Sequence, residues 1–148
     1  MRKIKLTQGK YTLVDDSNFE WLNKWEWHFT YYGYAARTTG SSKNKDKKGI
    51  LMHRLIIQAE EKEEVDHINR NKLDNRLKNL RIVNRSINNI NRGKRKDNTS
   101  GYKGVSYEKN TKSWAMDLAI NKKRIRLRGF KTKLSAYRTY CKLIKNLL

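Results

Sequence analysis

Apolar positions come in short runs broken by polar turns, and the period of the runs changes along the chain. Near the N-terminus Tyr11–Val14, residues 25–30 and residues 32–37 read as short strands. Between them Ser17 stands as an N-cap before Phe19, Trp21 and Leu22, which predicts one short helix. The three tryptophans of this stretch, Trp21, Trp25 and Trp27, are expected to build a small aromatic core. Residues 40–49, GSSKNKDKKG, lack periodicity and are bounded by glycine, which predicts a mobile loop. An apolar run then resumes over residues 50–57.

The middle of the chain reads VDHINRNKLDNRLKNLRIVNRSINNIN from Val65. Residues 65–68 suit a strand, residues 69–72 a polar turn and Leu80–Val83 a second strand, and Asn84 would cap a short helix. A strand, strand, helix unit of this kind can bring Asp66 and His67 near Asn88. Further on, residues 102–107, Ser113–Ile120 and residues 122–130 are three strand candidates, followed by a helix capped by Thr132. That helix carries Leu134, Tyr137, Cys141, Ile144 and Leu148 at spacings of three and four, an apolar stripe that needs a sheet to cover it. Trp114, Met116, Leu118 and Ile120 alternate and supply an inward face. In the third strand Ile125 and Leu127 point one way, and Arg124, Arg126 and Arg128 the other.

Length and charge turn this pattern into two small modules and a partner. The chain has 148 residues, 35 Lys and Arg against 14 Asp and Glu, and a formal net charge of +21. A polyanion is the natural partner, although charge alone leaves DNA, RNA and an anionic membrane open. Residues 1–64 carry 12 basic and 9 acidic side chains, residues 65–91 carry 6 and 2, and residues 92–148 carry 17 and 3, for nets of +3, +4 and +14. The last segment is therefore the expected electrostatic anchor on a phosphate backbone. Within it, residues 92–101, RGKRKDNTSG, could act as a cationic arm along phosphates or in a minor groove through Arg92, Lys94, Arg95 and Lys96, or as a solvated connector. No apolar run approaches the roughly 20 residues that span a bilayer, and no long apolar core follows the first residues as a secretory signal would require. The one cysteine, Cys141, excludes an internal disulfide and argues against a zinc finger, so a reduced, cytosolic protein is expected.

The central segment has the residues that phosphodiester hydrolysis needs. Neutral His67 suits a general base near pH 7. The carboxylate of Asp66 and the carboxamide of Asn88 suit a hard cation such as Mg²⁺, with its other positions left to water and the scissile phosphate. Taken singly, Asp66 would more often cap a turn, and Asn79 and Asn88 would be ordinary polar residues. His53, in an apolar run, reads as a packed and hydrogen-bonded structural histidine, and His28, between Trp27 and Phe29, as core or surface. Arg54, Arg70, Arg76 and Arg81 are candidates to grip phosphates, with plain solvation as the default for each.

In its order DHINRN, LDNRLKNLR and an Asn-rich helix, the segment over residues 65–91 resembles the HNH, or His-Me finger, endonucleases, especially the homing branch of phages and introns. The lead-in LTQGKYTLVDDSNFEWLNKWEWH, GYAART and LMHRLI is similar to that branch as well. The resemblance implies a ββα-metal finger in which Asp66 is a metal ligand, His67 the general base, Asn79 the residue that orients the histidine, and Asn88 the second ligand. The third letter is Asn rather than His, which favours Mg²⁺ or Mn²⁺, one ion per active site, over softer metals. The C-terminal text SGYKGVSYEKNTKSWAMDLAINKKRIRLRGFKT resembles the Apetala-two (ethylene-response-factor) type DNA-binding domain, through GYKGVSY, Trp114 and the GFKT corner. It implies a three-stranded sheet packed on one helix that reads DNA through the sheet; the helix LSAYRTYCKL departs from that family's alanine-rich pattern.

The expectation is therefore an α+β protein: a nuclease module over residues 1–91, a basic linker over 92–101 and a DNA-binding module over 102–148. It would cut double-stranded DNA with a divalent metal in a bacterial or phage-infected cytoplasm, as a monomer on DNA or a dimer, with Arg124, Arg126, Arg128, the linker cations, Arg76 and Arg81 on the DNA. Two other readings stay open: a non-catalytic DNA-binding factor with a degenerate finger, and an RNA-binding or ribosome-associated basic protein.

Overall fold

The computed structural model describes residues 1–40 and 47–147, so most of the loop expected over residues 40–49 lies outside the described residues. The described chain divides into two compact units, Met1–Asn84 and Arg85–Leu148.

The first unit opens with a hairpin that the sequence reading did not assign. Strand β1 (Arg2–Lys5) pairs antiparallel with β2 (Tyr11–Val14), with Ile4 opposite Thr12. Gln8 and Gly9 both take positive φ in the tight turn between them, which suits a two-residue hairpin loop. The alternation of charge and apolar side chain at the start of the chain is therefore a strand, with Ile4 turned inward. Helix α1 (Asp16–Leu22) follows, with Asp15 rather than Ser17 at its N-cap position. The Asp15 carboxylate accepts from the backbone N–H of Leu77 at 2.7 Å, so it ties a distant loop instead of closing its own helix.

Strands β3 (His28–Phe29), β4 (Ala35–Thr39) and β5 (Lys48–Leu51) form a three-stranded antiparallel sheet in that order, and the apolar run over residues 50–57 splits into the end of β5 and helix α2 (Met52–Ile56). Strand β6 (Glu64–His67) pairs antiparallel with β7 (Leu80–Val83), with a single 3-10 turn (Leu77–Asn79) leading into the second strand. The core gathers Ile4, Leu6, Val14, Leu22, Trp27, Met52, Ile56 and Leu80. Leu22 and Met52 are wholly buried, and each such side chain contributes about 1.5–3 kcal/mol. Trp21, Trp25 and Trp27 pack edge to face at 5.8 and 6.5 Å, the aromatic cluster expected from the sequence, and Trp25, which touches both of the others, is its exposed member.

The second unit starts with helix α3 (Arg85–Asn91), ahead of the boundary expected at residue 91. The cause is visible in the packing. Ile90 is buried with Val105, Met116, Leu118, Ile120, Ala136 and Tyr140. The Lys103 ammonium donates to the carbonyls of Asn89 (2.6 Å), Ile90 (2.7 Å) and Arg92, where a helix leaves its last acceptors open.

Strands β8 (Val105–Glu108), β9 (Ser113–Ile120) and β10 (Lys123–Phe130) form an antiparallel sheet in the order β10-β9-β8, and helix α4 (Lys133–Leu147) packs across it. Thr132 caps α4 by accepting from Ser135 N at 3.1 Å, as the sequence predicts. The stripe on α4 is turned from the one expected: Ala136, Tyr137, Tyr140 and Ile144 face the sheet, whereas Leu134 and Cys141 are exposed. Tyr140 sets this rotation. A Cβ added at Gly104 would lie 2.4 Å from its ring, so only glycine leaves room there. Residues 98–101 of the linker are an ordered turn, in which Asn98 Nδ2 and Ser100 Oγ both donate to the carbonyl of Tyr102.

Candidate active site

The β6–β7 pairing sets the first pair of groups. Asp66 stands directly opposite Arg81 in the register, and the guanidinium donates to Asp66 Oδ2 from Nε (3.0 Å) and Nη2 (2.9 Å). Cross-strand partners of opposite charge stabilise a hairpin, and here the carboxylate is buried while the guanidinium is one-third exposed. Arg81, expected on a phosphate, thus ends on Asp66.

The turn between the strands is closed by its own polar side chains. Asn79 receives Asn69 N on its Oδ1 at 3.0 Å and donates from Nδ2 to Asp74 O at 2.8 Å, so both ends of its amide staple the turn. Asp74 is almost wholly buried and takes a two-pronged ion pair from Arg76, both bonds at 2.6 Å, and a third bond from Asn69 Nδ2 at 2.8 Å. The Arg76 guanidinium beside it holds the Asp74 carboxyl below the usual carboxylate range, against a burial effect that would raise it. Arg76 therefore works as an internal clamp. The turn is laid against β2 by Leu13 N to Leu73 O and Asn75 N to Leu13 O, both at 2.8 Å.

His67 is buried at the end of β6, and the side chain facing its Nε2 is Asn75 Oδ1, 3.0 Å away. Burial lowers its pKa, opposed by the Asn75 bond and by the negative charges of Asp66 and Asp74, and assisted by Lys72. His53 lies behind it, with ring centroids 5.1 Å apart, and Tyr34 covers both rings at 4.9 and 6.0 Å. Desolvation, together with His67, Arg54 and Lys72, pushes the His53 pKa down to about 3, so its ring is neutral at ordinary pH. His53 is packed as the sequence suggested, but its Nδ1 is buried without a hydrogen-bond partner among the described residues.

Asn75 and Thr12 are the residues that sequence reasoning passed over. The signal was present: in YTLV, Thr12 shares inward parity with Val14, and a polar residue at a core position calls for a partner. Asn88 lies on α3, so the two expected metal ligands belong to different compact units. Arg124 is paired with Asp117, and Arg126 and Arg128 with Glu108 at 2.6 and 3.1 Å. Arg92, Lys94, Arg95 and Lys96 are exposed, with Arg95 bonded to Asp97 at 3.1 Å.

Among the described residues no three His, Cys, Asp or Glu side chains converge as a metal centre. Asp66 and Asn88 carry oxygen donors, a carboxylate and a carboxamide, the ligand types that hard cations take. Among the described residues no helix is long and apolar enough to cross a membrane.

Asp66 and His67 are thus both buried at adjacent positions of β6, and the turn that follows them is held by Asn69, Asn75 and Asn79. A family model described as HNH endonuclease matches residues 51–90, which run from the end of β5 into α3. The segment is thus similar to HNH nucleases, and that likeness implies nuclease activity with DNA as the substrate. No curated protein and no solved structure matches the chain.

Proposed function

We propose that the protein is a divalent-metal-dependent endonuclease of double-stranded DNA, of the phage or homing kind, with the finger over residues 64–91 as its catalytic part. The observation that carries this reading is buried, neutral His67 next to Asp66 within the segment matched to HNH endonucleases. His67 accepts the proton of the attacking water, and Asn79 holds the turn behind it. Asp66 is the residue of the first unit that would hold Mg²⁺ or Mn²⁺; such an ion supplies charge neutralisation at the phosphoryl group and the leaving oxygen. The C-terminal sheet, with Arg124, Arg126 and Arg128, and the linker cations Arg92, Lys94, Arg95 and Lys96 supply affinity and register on the duplex.

The test is cleavage of supercoiled plasmid with Mg²⁺ or with EDTA, for the wild type and His67→Ala. Cutting by the wild type in Mg²⁺ alone and a loss of about 10²-fold or more in His67→Ala are expected. The Arg81 grip on Asp66 favours a second reading, in which the carboxylate is a structural counter-ion and the protein a DNA-binding factor. Tight DNA binding with no cutting by either form in Mg²⁺ or Mn²⁺ would establish that reading instead.

A further inference from the structure

The hydrogen bonds behind His67 have a polarity that can be worked out from one end. Thr12 Oγ1 lies 2.9 Å from Leu73 O. A carbonyl oxygen only accepts, so the single hydroxyl proton of Thr12 is committed there. Thr12 Oγ1 is also 2.7 Å from the amide of Asn75. With its proton spent, the hydroxyl can only accept in that contact, and the Asn75 atom facing it must be the donor, Nδ2. Met52 Sδ, a weak acceptor 3.6 Å from the same nitrogen, agrees with this orientation; the flipped amide would set a carbonyl oxygen against two acceptors. Asn75 Oδ1 is then the atom 3.0 Å from His67 Nε2, and an oxygen with no proton obliges that nitrogen to carry one.

We infer that Thr12 and Asn75 are positioning residues that fix neutral His67 as the Nε2–H tautomer, leaving Nδ1 as the nitrogen that accepts a proton. The inference rests on the reading of His67 as general base only for its consequence in catalysis; the tautomer itself follows from the bonds. When Nδ1 takes a proton the ring becomes imidazolium, and the Nε2–H bond to Asn75 is kept, so the ring need not move. Thr12 and Asn75 are completely buried and His67 nearly so, which shields the chain of bonds from competition by bulk solvent. Thr12 lies on β2, outside residues 51–90, so the N-terminal hairpin supplies one member of the orienting pair and the matched segment the other, Asn75.

The alternative is that Thr12 and Asn75 merely satisfy one another as buried polar groups. Nitrogen-15 NMR of the imidazoles distinguishes the two without reference to activity. In the full chain, at a pH about two units above the ordinary histidine value, the His67 ring should show a protonated Nε2 and an unprotonated Nδ1, with its signals assigned by their loss in His67→Gln. A wild-type His67 in the Nδ1–H form overturns the inference outright, even if no variant folds. Thr12→Val, which keeps the shape and removes the acceptor, should give a mixture of tautomers and a fall in cleavage of about ten-fold or more. Thr12→Ser should restore both. A pure Nε2–H signal and an unchanged rate in folded Thr12→Val would also overturn it. If the tautomer is as stated but no form cuts DNA, the nuclease reading fails and the relay stands.

Discussion

The two compact units handle polar groups in opposite ways. In residues 1–84, Thr12, His53, Asp66, His67, Asp74, Asn75 and Asn79 are buried, most of them bonded to one another or to the backbone. In residues 85–148 the buried set is apolar apart from Ser100, and the charges lie on the outer face of the sheet, where Arg124, Arg126 and Arg128 meet Asp117 and Glu108. Buried polar groups in a low-dielectric interior are held in place at a cost in desolvation, which suits chemistry that depends on geometry. Exposed charge is cheap to keep and screened by salt, which suits affinity for a polyanion. Under the proposed function the first unit would position groups and the second attract the polyanion, and substitutions in each test that division.

The largest disturbance is expected from Gly104→Ala. Its Cβ would meet the Tyr140 ring at 2.4 and 2.6 Å and Asp117 O at 2.8 Å, at a φ of +70° that L side chains rarely adopt. Overpacking and left-handed strain together should cost the second unit about 3 kcal/mol or more. Trp114 is the one tryptophan of that unit, and Trp21, Trp25 and Trp27 report on the first. Denaturation followed by fluorescence in wild type and Trp114→Phe backgrounds should show the Trp114 signal lost early and the others little moved. Coincident loss of all four signals would mean that the units do not unfold separately.

Acid should strike in the other direction. The folded-state pKa values of His53 and His67 lie below the ordinary value of 6.5, that of His53 at about 3. The unfolded chain therefore binds more protons between these values, and the stability held in the neutral rings is complete above pH 6.5 and lost as pH falls toward 3. For His53 the loss is on the order of 3 kcal/mol by pH 4. In the second unit the depressed group is Glu108, held low by Arg126 and Arg128, so its contribution persists above the ordinary carboxylate value of 4.5 and fades only below it. Between about pH 6 and pH 5 the melting temperature should fall in the first unit and hold in the second. His53→Leu should flatten that dependence; an unaltered pH profile in a folded variant would remove His53 as its source.

The elements were largely legible because their signals are local. The β6 and β7 strands, the helix from residue 85, all three C-terminal strands and the Thr132 cap follow from periodicity and capping residues. What escaped was set by tertiary contact. The β1 strand lacks a run long enough to stand out before its partner is known, and the N-cap at Asp15 is decided by a bond to Leu77 N. The α4 face is rotated by the fit of Tyr140 over Gly104. Among the residues of the proposed site, Asp66 and His67 stand out in the sequence through their motif. Thr12 carried only the signal of a polar residue at an inward position, and its meeting with Asn75 depends on a turn from residues 68–79 docking against β2. Arg76 and Arg81 looked like phosphate grips because sequence cannot show that Asp74 and Asp66 lie within their reach.

The smallest effect separates the two kinds of arginine–carboxylate pair. Arg81 on Asp66 is a single pair on a buried carboxylate, whereas Glu108 holds two exposed guanidiniums, Arg126 and Arg128. Glu108→Gln removes one negative charge from a sheet face expected to meet phosphates, so non-specific affinity for duplex DNA should rise a few-fold at low salt, with the gain fading as salt is added. Exposed ion pairs contribute little to stability, and the melting temperature of the second unit should stay where it is. The triple change of Arg124, Arg126 and Arg128 to Ala should flatten the slope of log affinity against log salt by up to about 3, if each arginine meets one phosphate. Asp66→Asn gives the contrast: cutting should stop, and the salt slope should not change. If Glu108→Gln weakens binding instead, the carboxylate is holding Arg126 and Arg128 in the geometry that DNA requires, and the outer sheet face positions its groups as the buried site does.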